Sequence, residues 1–178
     1  MQGVCVSSRF HGLPAIELRS ADGARATVLA HGAHLVSWIP AGGEERLFLS
    51  NSAVFDGTAA IRGGVPVIFP QFAMIGSGPR HGFARNTAWS PIDMRATDQY
   101  ALTCLRLESD EIFRVAFPHL FGAELTVSIG GNRLDIELEI ENRDRHGFSF
   151  TCALHTYLRV AEIEPHFQAK RVRISAGQ

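Results

Sequence analysis

Cysteine is scarce in this chain of 178 residues, with only Cys5, Cys104 and Cys152. Three thiols, far apart and set in apolar, strand-like sequence, argue against a disulfide framework and suit reduced core cysteines better than a zinc site. Excess charge is also lacking. Lys and Arg total 17 against 18 Asp and Glu, a formal net charge of −1, so no overall field draws nucleic acid or anionic lipid, and neither is expected as a partner. Nowhere do about 18 apolar residues run together. The opening "MQGVCVSSRFHGL" has no basic stretch leading into an apolar one. Neither a secretory leader nor a membrane span is therefore expected, and the cytoplasm is the expected compartment. Finally, no ten-residue window keeps a helical stripe.

What is present is strand pattern. "AELTVSIGGNRLDIELEIEN" alternates on both sides of Gly130-Gly131-Asn132, with Leu125, Val127 and Ile129 facing one way and Leu134, Ile136, Leu138 and Ile140 continuing after the turn. It predicts a hairpin with one wet face. "FSFTCALHTYLRV" repeats the period. It places Phe148, Phe150, Cys152, Leu154, Leu158 and Val160 on the core side and Ser149, Thr151, His155, Tyr157 and Arg159 on the other. Shorter strands are expected at Ala15 to Leu18, Ala26 to Ala30, Leu35 to Pro40, Val65 to Phe69 and Ala101 to Glu108, separated by Gly, Pro and Asp-Gly turns. Without a repeat, linker or break in composition, the expectation is one all-β domain over residues 1–178, a sandwich or barrel.

The candidate sites are few. No G-x-x-x-x-G-K-[ST] loop occurs, and "GSGPRHG" lacks the glycine spacing and the strand-turn-helix setting of a dinucleotide fingerprint. His31 and His34, three apart on a strand, point to opposite faces, and no thiol or carboxylate completes a metal set. No G-x-S-x-G elbow marks a hydrolase serine. What stands out is "RGGVPVIFPQFAMIGSGPRHGFARNTAW", Arg62 to Trp89, where Arg62, Arg80, Arg85 and His81 sit among glycines, prolines and aromatics. Arginines held close together repel unless an anion or acidic neighbours relieve them, so this is either an anion site or a set of surface ion pairs. His155, beside Tyr157, is either a structural strand histidine or a catalyst.

"AAIRGGVPVIFPQF", "PRHGFARNTAW" and "FTCALHTYLRV", with "GAHLVSW" and "FPHLFGAELTVSIG", resemble in order and spacing the aldose 1-epimerase superfamily, in its glucose-6-phosphate 1-epimerase or hexose-6-phosphate mutarotase branch. The resemblance covers about residues 10 to 160. It implies a galactose-mutarotase-like β-supersandwich and an isomerase that interconverts the α and β anomers of hexose 6-phosphates by acid/base ring opening. By this resemblance His155 protonates the ring oxygen and His81 binds and polarises the same region. Arg62, Arg80 and Arg85 hold the 6-phosphate and sugar hydroxyls. No metal or organic cofactor is implied.

The resemblance stops near Val160. The family's general base is a glutamate on a late strand, and an aspartate before it helps bind sugar; neither has a matching position here. Glu162 and Glu164 lie too close to His155 along the chain to be assigned that role, and residues 161–178 depart from the family pattern. The expectation is thus a sandwich incomplete at its C-terminus, with open edges that favour self-association. A non-catalytic sugar-phosphate binding or structural module lacking the base is the alternative to an enzyme.

Overall fold

The structure, a computed structural model, describes residues 2–160 and the backbone of 173–176. Two antiparallel arrays dominate it. The first runs β1 (Val4–Phe10), β2 (Leu13–Arg19), β3 (Arg25–Leu29) and β4 (His34–Ile39) as neighbours in sequence order. The second contains β6 (Ser90–Ala96), β7 (Ala101–Glu108), β8 (Phe121–Gly130) and β9 (Arg133–Asn142), with β11 (Arg173–Ala176) added parallel to β9. A short ladder joins β5 (Val67–Ile68) to β10 (Ala153–Leu154). Among the described residues the α-helix is confined to α1 (Glu111–Arg114), capped by Asp110, whose Oδ1 accepts from the Ile112 and Phe113 amides. No helix is long and apolar enough to cross a membrane among the described residues.

The strict alternation of β8 buries Leu125, Val127 and Ile129, and its partner β9 buries Leu138 and Ile140. Gly130 pairs with Arg133, so within the expected turn Gly130-Gly131-Asn132 the loop itself is the two residues Gly131-Asn132. Ile16, Leu18 and Val28 of the first array share one apolar cluster with Leu105, Leu125 and Leu138 of the second, so the two sheets face each other over a common core. This is the all-β sandwich that the sequence pattern implies.

Two strands escape that pattern because both are edges. β1 exposes Val4 and Val6, and β6 begins Ser90-Pro91, where proline's missing N–H is tolerated only at an edge or strand start. The long strand expected at 148–160 is regular only over β10. Phe148, Phe150, Cys152 and Leu154 do pack on the core. Leu158 and Val160, expected on that side, are exposed. There the chain leaves β5 and takes its bonds from the irregular segment at 46–48.

Phe69, fully buried, is the hub that positions the site. Its ring lies 5.0 Å from Phe121, 5.4 Å from Phe150, 5.8 Å from Phe117 and 6.3 Å from Phe83. Burying such a ring is worth about 1.5–3 kcal/mol, and each edge-to-face pair adds about 0.5–1.5 kcal/mol. Its carbonyl also accepts the Phe83 and Ala84 amides. One residue thus ties together the segments that carry Arg62, His81 and His155.

The cysteines are free and at least half-buried, and burial pushes all three thiols up, Cys5 to about 11. They behave as apolar filling rather than as nucleophiles.

Candidate active site

Three irregular segments flank the β5–β10 ladder. The first is the loop from Gln71 to Gly82. It is folded on itself by the Gln71 side chain, whose Oε1 accepts from the Gly78 amide at 2.8 Å and whose Nε2 donates to the Gly78 carbonyl at 3.1 Å. His81 closes the loop: its amide donates to the Ala73 carbonyl at 2.9 Å, and the Ala73 amide donates to His81 Nδ1 at 3.1 Å. His81 has φ 67° and Gly82 φ 69°, and a Cβ on Gly82 would overlap the Phe69 carbonyl. Glycine is therefore required where the loop turns back onto the core.

The Ala73 bond fixes the chemistry of His81. Nδ1 is an acceptor, so the neutral ring carries its proton on Nε2. Partial burial, then the charges of Arg85, Arg80 and His155, hold His81 below the usual imidazole range. At neutral pH it is an uncharged Nε2–H donor.

The second segment carries His155 and Tyr157. The His155 amide donates to the Pro66 carbonyl at 3.1 Å and the Tyr157 amide to the Gly64 carbonyl at 2.9 Å. Alternation sends both side chains outward, where their rings lie 4.9 Å apart, tilted by 35°. The His81 and His155 rings approach to 6.2 Å, and Phe72 stands edge-on to His81 at 5.2 Å.

The third segment is Arg62-Gly63-Gly64. The buried His34 ring donates from Nε2 to the Gly63 carbonyl at 2.7 Å, and the Ser50 amide bonds the Arg62 carbonyl at 3.0 Å. His31, its partner in the pair weighed as a metal site, meets the Ala59 carbonyl instead, at 3.3 Å.

Arg85 stands in a 3-10 turn (Ala84–Asn86), with Nη2 donating to the Arg80 carbonyl at 3.0 Å and a buried Nε without a partner. Burial lowers its pKa; Tyr157 opposes that and Arg80 adds to it, yet a guanidinium so perturbed stays charged at neutral pH. The structure thus brings His81, His155, Arg80 and Arg85 together. Arg62 is exposed, two residues before the Gly64 carbonyl that holds Tyr157, and no side-chain contact joins it to the others.

The ion pairs are formed elsewhere. Arg95 pairs with Asp93, Arg106 with Glu124, Arg133 with Asp135 and Arg143 with Glu141. Among the described residues no carboxylate pairs with Arg62, Arg80 or Arg85. Glu162 and Glu164 lie outside the described residues.

Two side chains of this region carry no weight in the spacing argument. Tyr157 registers there only as a neighbour of His155, and His34 only as a rejected metal ligand. The alternation that exposes His155 also exposes Tyr157, so a signal for it was present. The grip of His34 on Gly63 spans 29 positions and left no local trace.

At one rim of the strand sandwich, then, stand two neighbouring imidazoles and guanidinium groups that have no carboxylate partner among the described residues. The chain is 36% identical to the crystal structure of a "putative mutarotase" from Salmonella typhimurium, with a TM-score of 0.78 over 88% of this chain and 52% of that one. It is 35% identical over 161 residues to a protein of Cenchrus ciliaris, and 41% identical over 143 residues to one of Escherichia coli, both named "Putative glucose-6-phosphate 1-epimerase". These matches take in 85% and 78% of this chain and 49% and 46% of those proteins, so the chain spans about half the length of the curated relatives it matches. Residues 14–178 match the aldose 1-epimerase family, and the chain belongs to it.

Proposed function

We propose that this chain carries the imidazole and guanidinium part of a glucose-6-phosphate 1-epimerase site, which interconverts the α and β anomers of hexose 6-phosphates. The observation that carries the reading is the 6.2 Å approach of His81 and His155 beside Arg80 and Arg85, which have no acidic partners among the described residues. A phosphate monoester, with about −1.5 to −2 charges near neutral pH, relieves that cationic cluster. Anchored there, the sugar presents its hemiacetal to the imidazoles.

His155 gives a proton to the ring oxygen while the bond from that oxygen to C1 breaks. A base removes the proton of the C1 hydroxyl, and C1 becomes an aldehyde carbon. Rotation about the C1–C2 bond and closure in the reverse sense deliver the other anomer. His81, locked as an Nε2–H donor, polarises a sugar oxygen throughout. Arg62 reaches the sugar from the rim.

A second reading rests on the base. Among the described residues no carboxylate pairs with His81 or His155, which favours a binding module without catalysis. Anomer exchange of glucose 6-phosphate, followed by NMR with and without protein, separates the two. Acceleration over buffer supports the epimerase, saturable binding without acceleration supports the module, and neither result removes both. Two further expectations belong to the same reading: residence in the cytoplasm, where hexose 6-phosphates occur, and self-association through exposed Phe48, Val54, Leu158 and Val160, readable from the mass in solution.

A further inference from the structure

We infer that Tyr157 is a further ligand-contacting residue, whose hydroxyl donates a hydrogen bond to a phosphoryl oxygen held beside Arg85; this rests on the phosphosugar reading above. The phenol is placed by backbone rather than by its own packing. Its amide bonds the Gly64 carbonyl at 2.9 Å on one side, and its carbonyl accepts the Phe48 amide at 3.0 Å on the other. The residue is 39% exposed. Among the described residues its hydroxyl has no hydrogen-bond partner, although the rest of the residue is fixed.

The direction in which it stands is set by two neighbours. The ring lies against His155 at 4.9 Å, so the phenol borders the space that the imidazoles enclose. Of the neighbours that act on the Arg85 guanidinium, Tyr157 is the one that raises its pKa.

A hydroxyl adds to these guanidinium groups a donor that is also an acceptor. A phosphate monoester offers three terminal oxygens, and an arginine fork satisfies two of them. Arg85 already commits Nη2 to the Arg80 carbonyl, and its Nε is buried. A hydroxyl can donate to the anion and accept from a guanidinium, which neither Arg80 nor the Nε2–H of His81 can do in both directions. Tyr157 is thereby specificity-determining: it favours phosphorylated over free sugars.

The test separates hydroxyl from ring. In Tyr157→Phe only the oxygen is lost, and the ring still covers His155; Tyr157→Leu removes both. Inorganic phosphate, glucose 6-phosphate and glucose are titrated calorimetrically into the full chain, while the tyrosine Cζ and histidine ring signals are followed by NMR. The expected result is that Tyr157→Phe weakens phosphate and glucose 6-phosphate about five- to tenfold. Glucose binding and the His155 signals stay as in the wild type. In the wild type, phosphate shifts the Tyr157 Cζ resonance. Tyr157→Leu disturbs His155 as well. If Arg85→Ala loses phosphate while Tyr157→Phe binds as the wild type does, the inference is overturned and the phosphosugar reading stands. A wild-type chain that binds neither phosphate nor glucose 6-phosphate overturns both.

Discussion

Acid should weaken this fold through one buried imidazole. His34 is 1% exposed and gives its Nε2–H to the Gly63 carbonyl. Burial pushes its pKa from 6.5 down to about 4; the Gly63 bond opposes that, and the charges of His31 and Arg85 reinforce it. The unfolded chain takes up this proton near pH 6.5, the folded chain near pH 4. Between those limits the unfolded state binds more protons, so the contribution is complete above pH 6.5 and is lost as the pH falls toward 4. The gap corresponds to about 3 kcal/mol in full, most of it already gone at about pH 4.5. His34→Gln keeps a donor for Gly63 and does not titrate. Urea unfolding of both proteins, near pH 7 and near pH 4.5, is the assay. The wild type should lose about 2–3 kcal/mol more on acidification than His34→Gln, because the contributions of all other titrating groups cancel in the difference. Equal acid sensitivity of the two proteins would refute the claim that His34 is held neutral in the core.

Three more outcomes are expected. Arg85→Ala should raise the Kd for glucose 6-phosphate about ten- to a hundredfold and that for glucose less than about twofold, as expected for a bond to a charged group; equal losses would take phosphate out of the site. His155→Asn should bind glucose 6-phosphate within about twofold of the wild type and return any catalysed anomer exchange to the buffer rate, since it removes the proton donor and little volume; surviving exchange would move the acid elsewhere. Gly82→Ala should cost about 3 kcal/mol or more in thermal unfolding, given a φ of 69° and a Cβ that overlaps the Phe69 carbonyl. A loss below about 1 kcal/mol would show that the turn relaxes at little cost.

How far the sequence could be read depended on how local each cause was. β7, β8 and β9 are legible because one face of each is core, so a period of two survives in the residue types. β1 and β6 are not, because an edge strand is held by its neighbour's backbone and tolerates Val4 outward or Pro91 at its start. The same division runs through the site. His81, His155 and the arginines stand in short motifs and could be named. The tautomer of His81 could not, since it depends on a backbone amide eight positions away that a positive-φ turn at Ala73 brings round. Nor could the exposure of Arg62, because the burial of a long side chain on a glycine-rich segment follows from tertiary placement. The aromatic hub is intermediate. Twelve phenylalanines announce a large apolar centre, but that Phe69 would be the ring joining all three motifs follows only from how the sheets stack.

The seam between residues 64–70 and 151–157 works as a key with a single correct depth. Thr151 and Pro70, Ala153 and Ile68, His155 and Pro66, and Tyr157 and Gly64 mate at every second residue. Sliding that strand by one tooth pair keeps every outward side chain outward and leaves the hydrophobic side in contact with the core, so packing alone would scarcely notice. Chemically the change would be total, since a phenol would stand where the imidazole belongs. The hydroxyl of Thr151, which accepts from the Phe72 amide at 2.7 Å, marks the observed depth, because such a slide would bring Ala153 to that place and leave the amide without its partner.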